Sequence, residues 1–343
     1  MAFTRHTSKD VAGYNKVLLE LCWNREGNYL GMISSDRSVK VGQLDKSGTF
    51  QNVHNIPTTT TMTQLCWNPV DDSRIGMCGE DKYVELWDVR ASKASMKLPT
   101  SANNISIGWS PCGTFMAVGN KSDLVTVFDL RTGSVLRKKK FNYEVNDIVW
   151  TANPNYLLAA TGGDGAGYLD ILSLLNPTDP EAALTDINNI HISSAASNSS
   201  STSNTSSAAG ELSLLQRVTA HVDNCISLRI DPACRRLAVG GLDRTVSFWD
   251  LEDMVCLHTT PVESEVRGMT YSGDGQYLAV VGVDTNIYIC DTSSAEAVSK
   301  VVCRHKVSSA SWHPQTNLNL LAVALEDRSP APQYLRFLAF PTA

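Results

Sequence analysis

The sequence predicts an all-β protein, a β-propeller of seven blades formed by one domain that spans residues 1–343. The first observation is a repeat, because a tryptophan or another bulky residue recurs at spacings of 44, 42, 41, 80, 41 and 41 residues. The second observation is that each repeat contains short alternating apolar strands separated by turn residues. A period of about 40–45 residues is typical of propellers, whose units bury their apolar faces only by stacking into a ring. The bulky residues are Trp23, Trp67, Trp109, Trp150, Ile230, Tyr271 and Trp312.

Unit two shows the pattern of one repeat most clearly. Its first strand alternates apolar and polar residues up to Trp67, and Pro69 stops it because proline lacks a backbone donor. A strand of small residues follows, and residues 79–82 predict a tight turn in which Asp81 accepts backbone N–H groups. The third strand is again apolar and ends at the pair Trp87 and Asp88.

The other six units repeat this order of strand, turn and strand. Their second and third strands are separated by turns around residues 35–37, 119–123, 162–167, 240–244 and 284, and unit seven ends in strands at 320–325 and 334–340. The turn at 162–167 is rich in glycine, but it lies between two strands and not before a helix. We therefore interpret it as a turn and not as a phosphate-binding loop.

The end of the chain predicts how the ring closes. The sequence ends directly after the third strand of unit seven. An unfilled blade would leave the backbone groups of its outer edge unpaired. We therefore expect about residues 1–12 to supply the missing strand and so to join the N-terminal segment to the last blade.

A Ser/Asn-rich segment, residues 193–207, lies inside the spacing of 80 residues. It has too little apolar surface to offset the entropy lost on ordering. We predict a long, largely disordered loop at residues 176–216 between blades four and five, and an inert linker is its simplest interpretation. Such a loop leaves the ring intact because long surface loops cost little extra closure entropy.

Composition excludes several classes of function. The net charge of −6 gives no overall attraction for nucleic acid, and no apolar run has the length of a membrane span. The nine cysteines contain no C-x-x-C pair, and the N-terminus has no signal-peptide pattern, so we expect an intracellular protein with reduced, mostly buried thiols. No nucleophile elbow or metal-ligand cluster is present, and we predict no catalytic residue, no metal and no cofactor.

The repeats resemble the WD-repeat family. In that family a histidine before the first strand, a turn aspartate and a third-strand tryptophan form a structural hydrogen-bond network. The matching residues are His221, Asp243 and Trp249 in unit five and Asp81 and Trp87 in unit two, where His54 is the candidate histidine. Unit five has Val239, Gly240 and Gly241 where the family has serine or threonine, so the resemblance implies an incomplete network there.

Basic and polar residues form two sets of candidate contacts. The first set is the run Arg137, Lys138, Lys139 and Lys140. Aromatic residues follow this run, and cations next to aromatic rings suit contact with phosphates and stacking on bases. The alternative is an exposed edge strand that the lysines protect against aggregation. The second set is Lys82, Lys121 and Arg244 at turns, with Asn146 and Arg267. Stacking of the units brings the turn cations to one face of the ring. The alternative is that these residue types are simply common in the turns of such repeats.

Longer stretches resemble the family of WD-repeat subunits of the THO complex. They are residues 64–69, 86–90, 104–111, 117–123, 141–150, 170–173 and 220–226. The resemblance implies a non-catalytic nuclear scaffold of the THO/TREX assembly, which couples transcription and mRNA processing to mRNA export. It implies other THO/TREX subunits as partners, RNA contact that is at most indirect or weak, and neither a membrane nor a small-molecule substrate.

Two other functions stay open from the sequence. The chain is alternatively a WD-repeat adaptor of another nuclear assembly, such as a ubiquitin ligase or a chromatin complex, because such adaptors use the same surfaces. The second is an enzyme whose site lies in the central channel of the ring. Charged residues that converge in the channel would favour this enzyme.

Overall fold

Seven β-sheets form the protein. The computed structural model describes residues 6–11, 13–45, 47–175, 210–329, 332 and 334–341. In these residues the sheets follow one another along the chain as seven blades, and no helix is long and apolar enough to span a membrane. The innermost strand of each blade packs against that of the next, and that of blade seven packs against blade one. The ring is therefore closed, as the repeat predicts.

The first four blades are built from strands β2 to β18. Blade one contains β2 (Leu18–Trp23), β3 (Tyr29–Ser34), β4 (Ser38–Leu44) and β5 (Phe50–Pro57). Blade two contains β6 (Met62–Trp67), β7 (Arg74–Gly79), β8 (Tyr83–Asp88) and β9 (Lys93–Pro99). Blade three contains β10 (Asn104–Trp109), β11 (Phe115–Asn120), β12 (Leu124–Asp129), β13 (Ser134–Lys140) and β17 (Gly210–Glu211). Blade four contains β14 (Glu144–Trp150), β15 (Tyr156–Gly163), β16 (Ala166–Ser173) and β18 (Ser213–His221).

The last three blades complete the ring. Blade five contains β19 (Cys225–Ile230), β20 (Arg236–Gly241), β21 (Thr245–Asp250) and β22 (Val255–Pro261). Blade six contains β23 (Val266–Tyr271), β24 (Tyr277–Gly282), β25 (Asn286–Asp291) and β26 (Ala297–Val302). Blade seven contains β27 (Val307–Trp312), β28 (Leu320–Leu325), β29 (Leu335–Ala339) and β1 (Thr7–Val11).

The apolar core lies between the blades. The second strand of each blade is covered on both faces, and so its residues are almost all apolar or small and buried, as in β11. Close packing also explains some of the glycines. A Cβ atom at Gly76 would lie 2.9 Å from Met116 Cε and 3.2 Å from Trp109 Nε1 of the next blade. Each blade thus presses directly on the one that follows it.

The N-terminal strand closes the ring, which confirms the prediction from the chain ends. β1 pairs antiparallel with β29 over five residue pairs, from Thr7 opposite Ala339 to Val11 opposite Leu335. The Arg336 guanidinium donates to both carboxylate oxygens of Asp10, at 2.6 and 3.2 Å. The last blade is therefore held together by the two ends of the chain.

The predicted long loop ends earlier than the sequence suggests. Residues 176–209, which include the Ser/Asn-rich segment, lie outside the described residues, so the prediction of disorder stays a prediction there. Residues 210–211 form β17, which runs parallel to β13, and β18 begins at Ser213. The boundary at residue 216 is therefore wrong. Leu212, between the two strands, is fully buried, because it packs into the core shared by blades three and four.

Candidate functional site

A central channel lies along the ring axis. It encloses about 790 Å³ and is lined by residues of all seven inner strands. These inner strands place their side chains in three tiers from one mouth of the channel to its middle. The first tier is Leu19, Thr63, Ile105, Asn146, Ile226, Arg267 and Ser308. The second tier is Glu20, Gln64, Ser106, Asp147, Ser227, Gly268 and Ser309, of which Ser106 is buried and the other six line the channel. The third tier is Cys22, Cys66, Gly108, Val149, Arg229, Thr270 and Ser311.

A β-bulge in every inner strand separates the first tier from the second. In β2, for example, Leu18 lies opposite Ser34 and Glu20 opposite Ile33, so Leu19 has no partner in β3. The same shift occurs at the same place in the other six blades. A bulge places two consecutive residues on one side of the pairing and re-aims their side chains. This is how one blade contributes to two successive tiers.

The second tier joins neighbouring blades through side-chain acceptors. Glu20 Oε2 accepts the backbone N–H of Leu65 in blade two at 2.8 Å. Equivalent bonds connect the following blades, each from a backbone N–H to the preceding second-tier side chain. They join Ile107 N to Gln64 Oε1 (2.5 Å), Ile148 N to Ser106 Oγ (3.1 Å), Leu228 N to Asp147 Oδ2 (3.0 Å) and Leu21 N to Ser309 Oγ (3.2 Å). The bonds give inner-strand N–H groups the partners that buried donors require.

The second tier is interrupted at blades five and six. Ser227 is 2% exposed, and its Oγ has no hydrogen-bond partner among the described residues. Gly268, the next member, has no side chain, and a Cβ atom there would meet nothing within 4 Å. The ring of acceptors therefore has a gap, and the channel widens beside an unpartnered hydroxyl.

Charged side chains converge in the channel. Arg229 Nη1 donates to Asp147 Oδ2 at 2.8 Å, and Asp147 Oδ1 accepts the Ser106 hydroxyl at 3.0 Å. Burial raises the pKa of Glu20 to about 8, although the Leu65 N–H and the positive charge of Arg229 favour its ionised form. Two carboxyl groups thus face one guanidinium. Glu20 and Asp147 also hold the N–H groups of the next blades, which is a structural use of both.

The channel contains no recognisable metal centre. Within the described residues no three or more His, Cys, Asp or Glu side chains are arranged to hold a metal ion. Burial raises the pKa of the third-tier thiol of Cys22 to about 12, and it also raises that of Cys66. Thiols with raised pKa values are poor nucleophiles at neutral pH because little thiolate is present.

The hydrogen-bond network of blade five is complete, which corrects the expectation from residues 239–241. His221 Nδ1 lies 3.0 Å from Asp243 Oδ1 and 2.8 Å from Thr245 Oγ1. Its Nε2 lies 2.9 Å from Ser247 Oγ, and Trp249 Nε1 donates to the same hydroxyl at 2.8 Å. Ser247, on the third strand, thus replaces the second-strand hydroxyl that the resemblance implies. The network fixes the turn before β21 to the loop that leads into β19.

Blade two holds its turn by a different set of contacts. Asp81 accepts the hydroxyls of Thr59 at 2.8 Å and of Thr60 at 2.7 Å. His54 instead lies 3.4 Å from Ser92 Oγ, and the Trp87 indole N–H has no partner among the described residues. Two threonines therefore occupy the place of a histidine, and the suggested pairing of His54 with Asp81 is wrong.

The turn cations and the first tier lie at the same end of the blades. Inner strands begin at this end, and the turns between second and third strands face it. Lys82, Lys121 and Arg244 are exposed, and within the described residues none of them forms an ion pair. At the mouth, Asn146 Nδ2 donates to Cys225 O at 2.9 Å, and Arg267 pairs with Glu265 at 3.2 Å. We name this end of the ring the turn face.

Comparisons with known proteins fit this architecture. A family model described as WD domain, G-beta repeat matches residues 212–250, and one described as Anaphase-promoting complex subunit 4 WD40 domain matches residues 262–315. THO complex subunit 3 of Arabidopsis thaliana is 31% identical over 326 residues, which cover 94% of this chain and 91% of the plant protein. The chain belongs to the THO complex subunit 3 family.

Two other known proteins are similar to this chain at lower sequence identity. WD repeat-containing protein AAC3 of Dictyostelium discoideum is 26% identical over 345 residues, covering 94% of this chain and 65% of that protein. The crystal structure of the Cps50 (Swd1) β-propeller domain of Myceliophteria thermophila has a TM-score of 0.74 at 16% identity, over 98% of this chain and all of that domain. The solved structure supports the propeller fold.

The basic run of this chain, residues 137–140, does not lie on an unpaired edge strand. β17 pairs with Arg137 and Lys138, and Arg137 Nε donates to Leu174 O at 3.1 Å. Lys139 pairs with Glu211 at 3.6 Å and Lys140 with Asp123 at 3.5 Å. Other residues of the chain thus serve as partners for Arg137, Lys139 and Lys140, so the interpretation as an unpaired edge strand is wrong. The side chain of Lys138 remains exposed.

Sequence reasoning picked out Asn146 and Arg267 of the first tier but missed the second-tier residues of this family member. Every second-tier residue stands three positions before the bulky residue of its unit, from Glu20 before Trp23 to Ser309 before Trp312. Their types differ from unit to unit, so no single motif points to them. An alignment of the seven units on the bulky residue is the signal that finds the tier.

Proposed function

We propose that this protein is a non-catalytic scaffold subunit of a nuclear THO complex within the TREX assembly. In this role it couples transcription and mRNA processing to mRNA export through protein–protein contacts. The observation that carries the proposal is the 31% identity to THO complex subunit 3, which extends over 91% of that protein. The match covers 94% of this chain and not a single repeat, which supports a shared role for the whole propeller.

The shape and charge of the molecule support a scaffold. The ring is closed by β1, so it offers two faces and a rim whose loops vary without disturbing the core. The net charge of −6 disfavours strong binding to RNA by the chain alone. We therefore propose other THO/TREX subunits as direct partners and RNA as an indirect or weak one.

The turn face is the surface that we propose for these contacts. Lys82, Lys121 and Arg244 are exposed there, and Asn146 and Arg267 border the channel mouth beside them. Exposed cations that form no ion pair within the described residues keep their charge available for a partner. Of the basic run, we propose only Lys138 for a contact on the rim, because Arg137, Lys139 and Lys140 already have partners within the chain.

A second candidate is an adaptor of a ubiquitin ligase or chromatin complex. It is favoured by the match of residues 262–315 to an Anaphase-promoting complex subunit 4 domain. The chain is also 23% identical over 271 residues to Cell division cycle 20.1, cofactor of APC complex, of Arabidopsis thaliana, covering 70% of this chain and 58% of that protein. These matches are shorter or weaker than the match to THO complex subunit 3, so we place the adaptor second.

Chemistry in the channel is favoured by one observation, the convergence of Glu20, Asp147 and Arg229. The Asp147 carboxylate already accepts hydrogen bonds from Arg229, from Ser106 and from two backbone N–H groups. Glu20 holds the N–H of Leu65. We therefore assign this cluster to holding the blades and to binding, and the proposed scaffold remains non-catalytic.

The test is purification of the tagged chain from nuclear extract after nuclease treatment, with partners identified by mass spectrometry. An unrelated tagged propeller serves as the control bait. Recovery of THO subunits after nuclease supports a scaffold that acts through protein contacts. Recovery of ligase or chromatin subunits in their place would assign the chain to the second candidate, and loss of all partners with nuclease would contradict protein-mediated assembly.

A further inference from the structure

The gap in the second tier marks a place that none of the described residues fills. Five of the seven blades meet the next blade through a second-tier acceptor, and the two exceptions are neighbours. Ser227 has a buried hydroxyl with no partner among the described residues, and Gly268 leaves open space where the next side chain would stand. A buried hydroxyl without a partner is costly unless another group satisfies it. The position therefore points to a donor supplied from outside the chain.

The two carboxyl groups that face Arg229 are not equally supplied with hydrogen-bond partners. Asp147 is saturated, because Oδ1 accepts from Ser106 Oγ and Ile148 N, and Oδ2 accepts from Leu228 N and Arg229 Nη1. Glu20 is not saturated, since only its Oε2 accepts a bond, from Leu65, within the described residues. One cation, Arg229, thus faces two carboxyl groups. The unmatched group is the carboxyl of Glu20, and its free oxygen lines the channel.

The mouth of the channel does not compensate for this imbalance. The nearest first-tier cation is Arg267, which pairs with Glu265 at 3.2 Å outside the second tier. Two groups of the second tier have unused acceptor capacity, the Glu20 oxygen and the Ser227 hydroxyl. An anion would meet Glu20 and Asp147, whereas a cation would find one unmatched carboxylate and a second acceptor.

We propose that the channel receives a cationic side chain, arginine or lysine, from a partner protein that docks on the turn face. The charged head lies in the second tier, where Glu20 binds it and the Ser227 hydroxyl accepts a further N–H. The channel has a volume of about 790 Å³, and Asn146 and Arg267 at the turn-face end belong to its lining, so an extended side chain that enters between them has room. The proposal holds whichever nuclear assembly supplies the partner.

Such a site makes binding depend on pH. Burial raises the pKa of Glu20 to about 8, so this carboxyl is mostly protonated at neutral pH in the empty channel. The cation binds the ionised form, and its entry therefore releases a proton. By linkage the affinity rises about tenfold per pH unit below pH 8 and levels off above it.

The test uses the full chain and three short peptides in ligand-observed NMR titrations at pH 6, 7, 8 and 9. The peptides are acetyl-Ala-Arg-Ala-amide, its lysine counterpart and its citrulline counterpart, which has nearly the shape of arginine without the charge. We expect the arginine or lysine peptide to bind with an affinity that rises with pH up to about 8, and the citrulline peptide to bind at least about tenfold more weakly.

Three variants connect this binding to the named residues. Glu20→Gln keeps an oxygen for the Leu65 N–H, and we expect it to weaken binding of the cationic peptide at pH 9 by at least about tenfold and to remove the pH dependence. Ser227→Ala should weaken binding by a smaller factor. Glu144→Gln, which removes an exposed carboxylate from the start of β14 outside the channel, is the matched control and should leave binding unchanged.

Several results would overturn the proposal. Equal affinity for the citrulline peptide would show that the charge is not recognised. An affinity independent of pH between 6 and 9 in the wild-type chain would exclude Glu20 as the receiving group, and this readout does not depend on any variant. An equal loss in the Glu20→Gln and Glu144→Gln variants would indicate a general effect of surface charge.

Discussion

The Nε2 atom of His313 lies 2.9 Å from the carbonyl oxygen of Gly27, and this contact joins the last blade directly to the first. Gln315 N donates to His313 Nδ1 at 3.2 Å, so Nδ1 is the acceptor and Nε2 carries the proton that it donates to Gly27. The imidazole also packs edge-on against Trp23 at 4.8 Å between ring centroids. A neutral histidine is thus one of the groups that close the ring on the side away from the turn face.

This contact predicts acid-dependent stability. Burial lowers the pKa of His313 below its usual value of 6.5, so the unfolded chain takes up the proton first as the pH falls. The stabilisation is complete above pH 6.5 and is lost as the pH falls toward the lower pKa of the folded protein. We expect His313→Gln to cost about 1–3 kcal/mol of unfolding free energy at pH 7.5 and less at pH 5.5.

Urea unfolding of both proteins at these two pH values measures the effect. His258→Gln is the control, because this imidazole is exposed on β22. A difference between wild type and the His313 variant that is the same at both pH values would contradict the assignment of a neutral, donating His313.

The strand that closes blade seven predicts a second effect on stability. Deleting residues 1–12 removes β1, exposes the backbone edge of β29 and uncovers the core around Leu335. We expect the melting temperature to fall by more than about 5 °C. Differential scanning calorimetry measures it directly.

The matched control for this deletion is Asp10→Asn, which removes only the ion pair to Arg336. Both side chains are partly exposed, so we expect the loss to stay below about 1 kcal/mol. If the deletion cost no more than this substitution, the closing strand would contribute only its ion pair.

The sequence predicted the ring because its signals are local. Alternating apolar residues and turn chemistry act over a few positions, so the unit boundaries follow from the pattern around residues such as Trp67 and Trp312. The closing strand followed from counting strands, because a blade with three strands leaves an open edge. These inferences required no knowledge of which side chains meet across the ring.

The hydrogen bonds inside the channel did not follow from the sequence because they join distant residues. Glu20 and Leu65 belong to different blades, and Asp147 and Leu228 lie on opposite sides of the inserted segment. The bulge that aims these side chains leaves no mark in a single unit. The completion of the blade-five network by Ser247 was missed for another reason. It lies two positions before Trp249, on the same face of its strand, whereas the comparison with the family pointed to a different strand.

Ser247 leads to a third prediction. Its hydroxyl is the partner of both His221 Nε2 and Trp249 Nε1, and all three side chains are buried. Ser247→Ala leaves both ring nitrogens without that partner, so we expect a loss of about 2–4 kcal/mol in unfolding free energy. Denaturant unfolding followed by circular dichroism gives the value.

Ser227→Ala is the control for this loss within the same blade. Ser227 is nearly as buried, but its hydroxyl has no partner among the described residues, so its removal breaks no hydrogen bond and should not lower the unfolding free energy. Equal losses in the two serine variants would mean that burial alone and not the bridging bonds determines the effect.

The turn face leads to the last prediction. Lys82, Lys121 and Arg244 are exposed and form no ion pair within the described residues, so reversing their charge should not disturb the fold. If a partner surface of opposite charge docks there, a triple change to glutamate places like charges together and should weaken binding by at least about tenfold. The readout is the yield of partner subunits in the nuclease-treated purification, normalised to bait.

Lys138→Glu is compared with this triple variant because it tests the proposed rim contact separately, since Lys138 is exposed beside β17, away from the turn face. The melting temperatures of both variants should match that of the wild type, which separates lost binding from lost folding. An unchanged partner yield in the triple variant, with a reduced yield for Lys138→Glu, would move the docking surface from the turn face to the rim. That result would also leave the channel without the partner that is proposed to enter it.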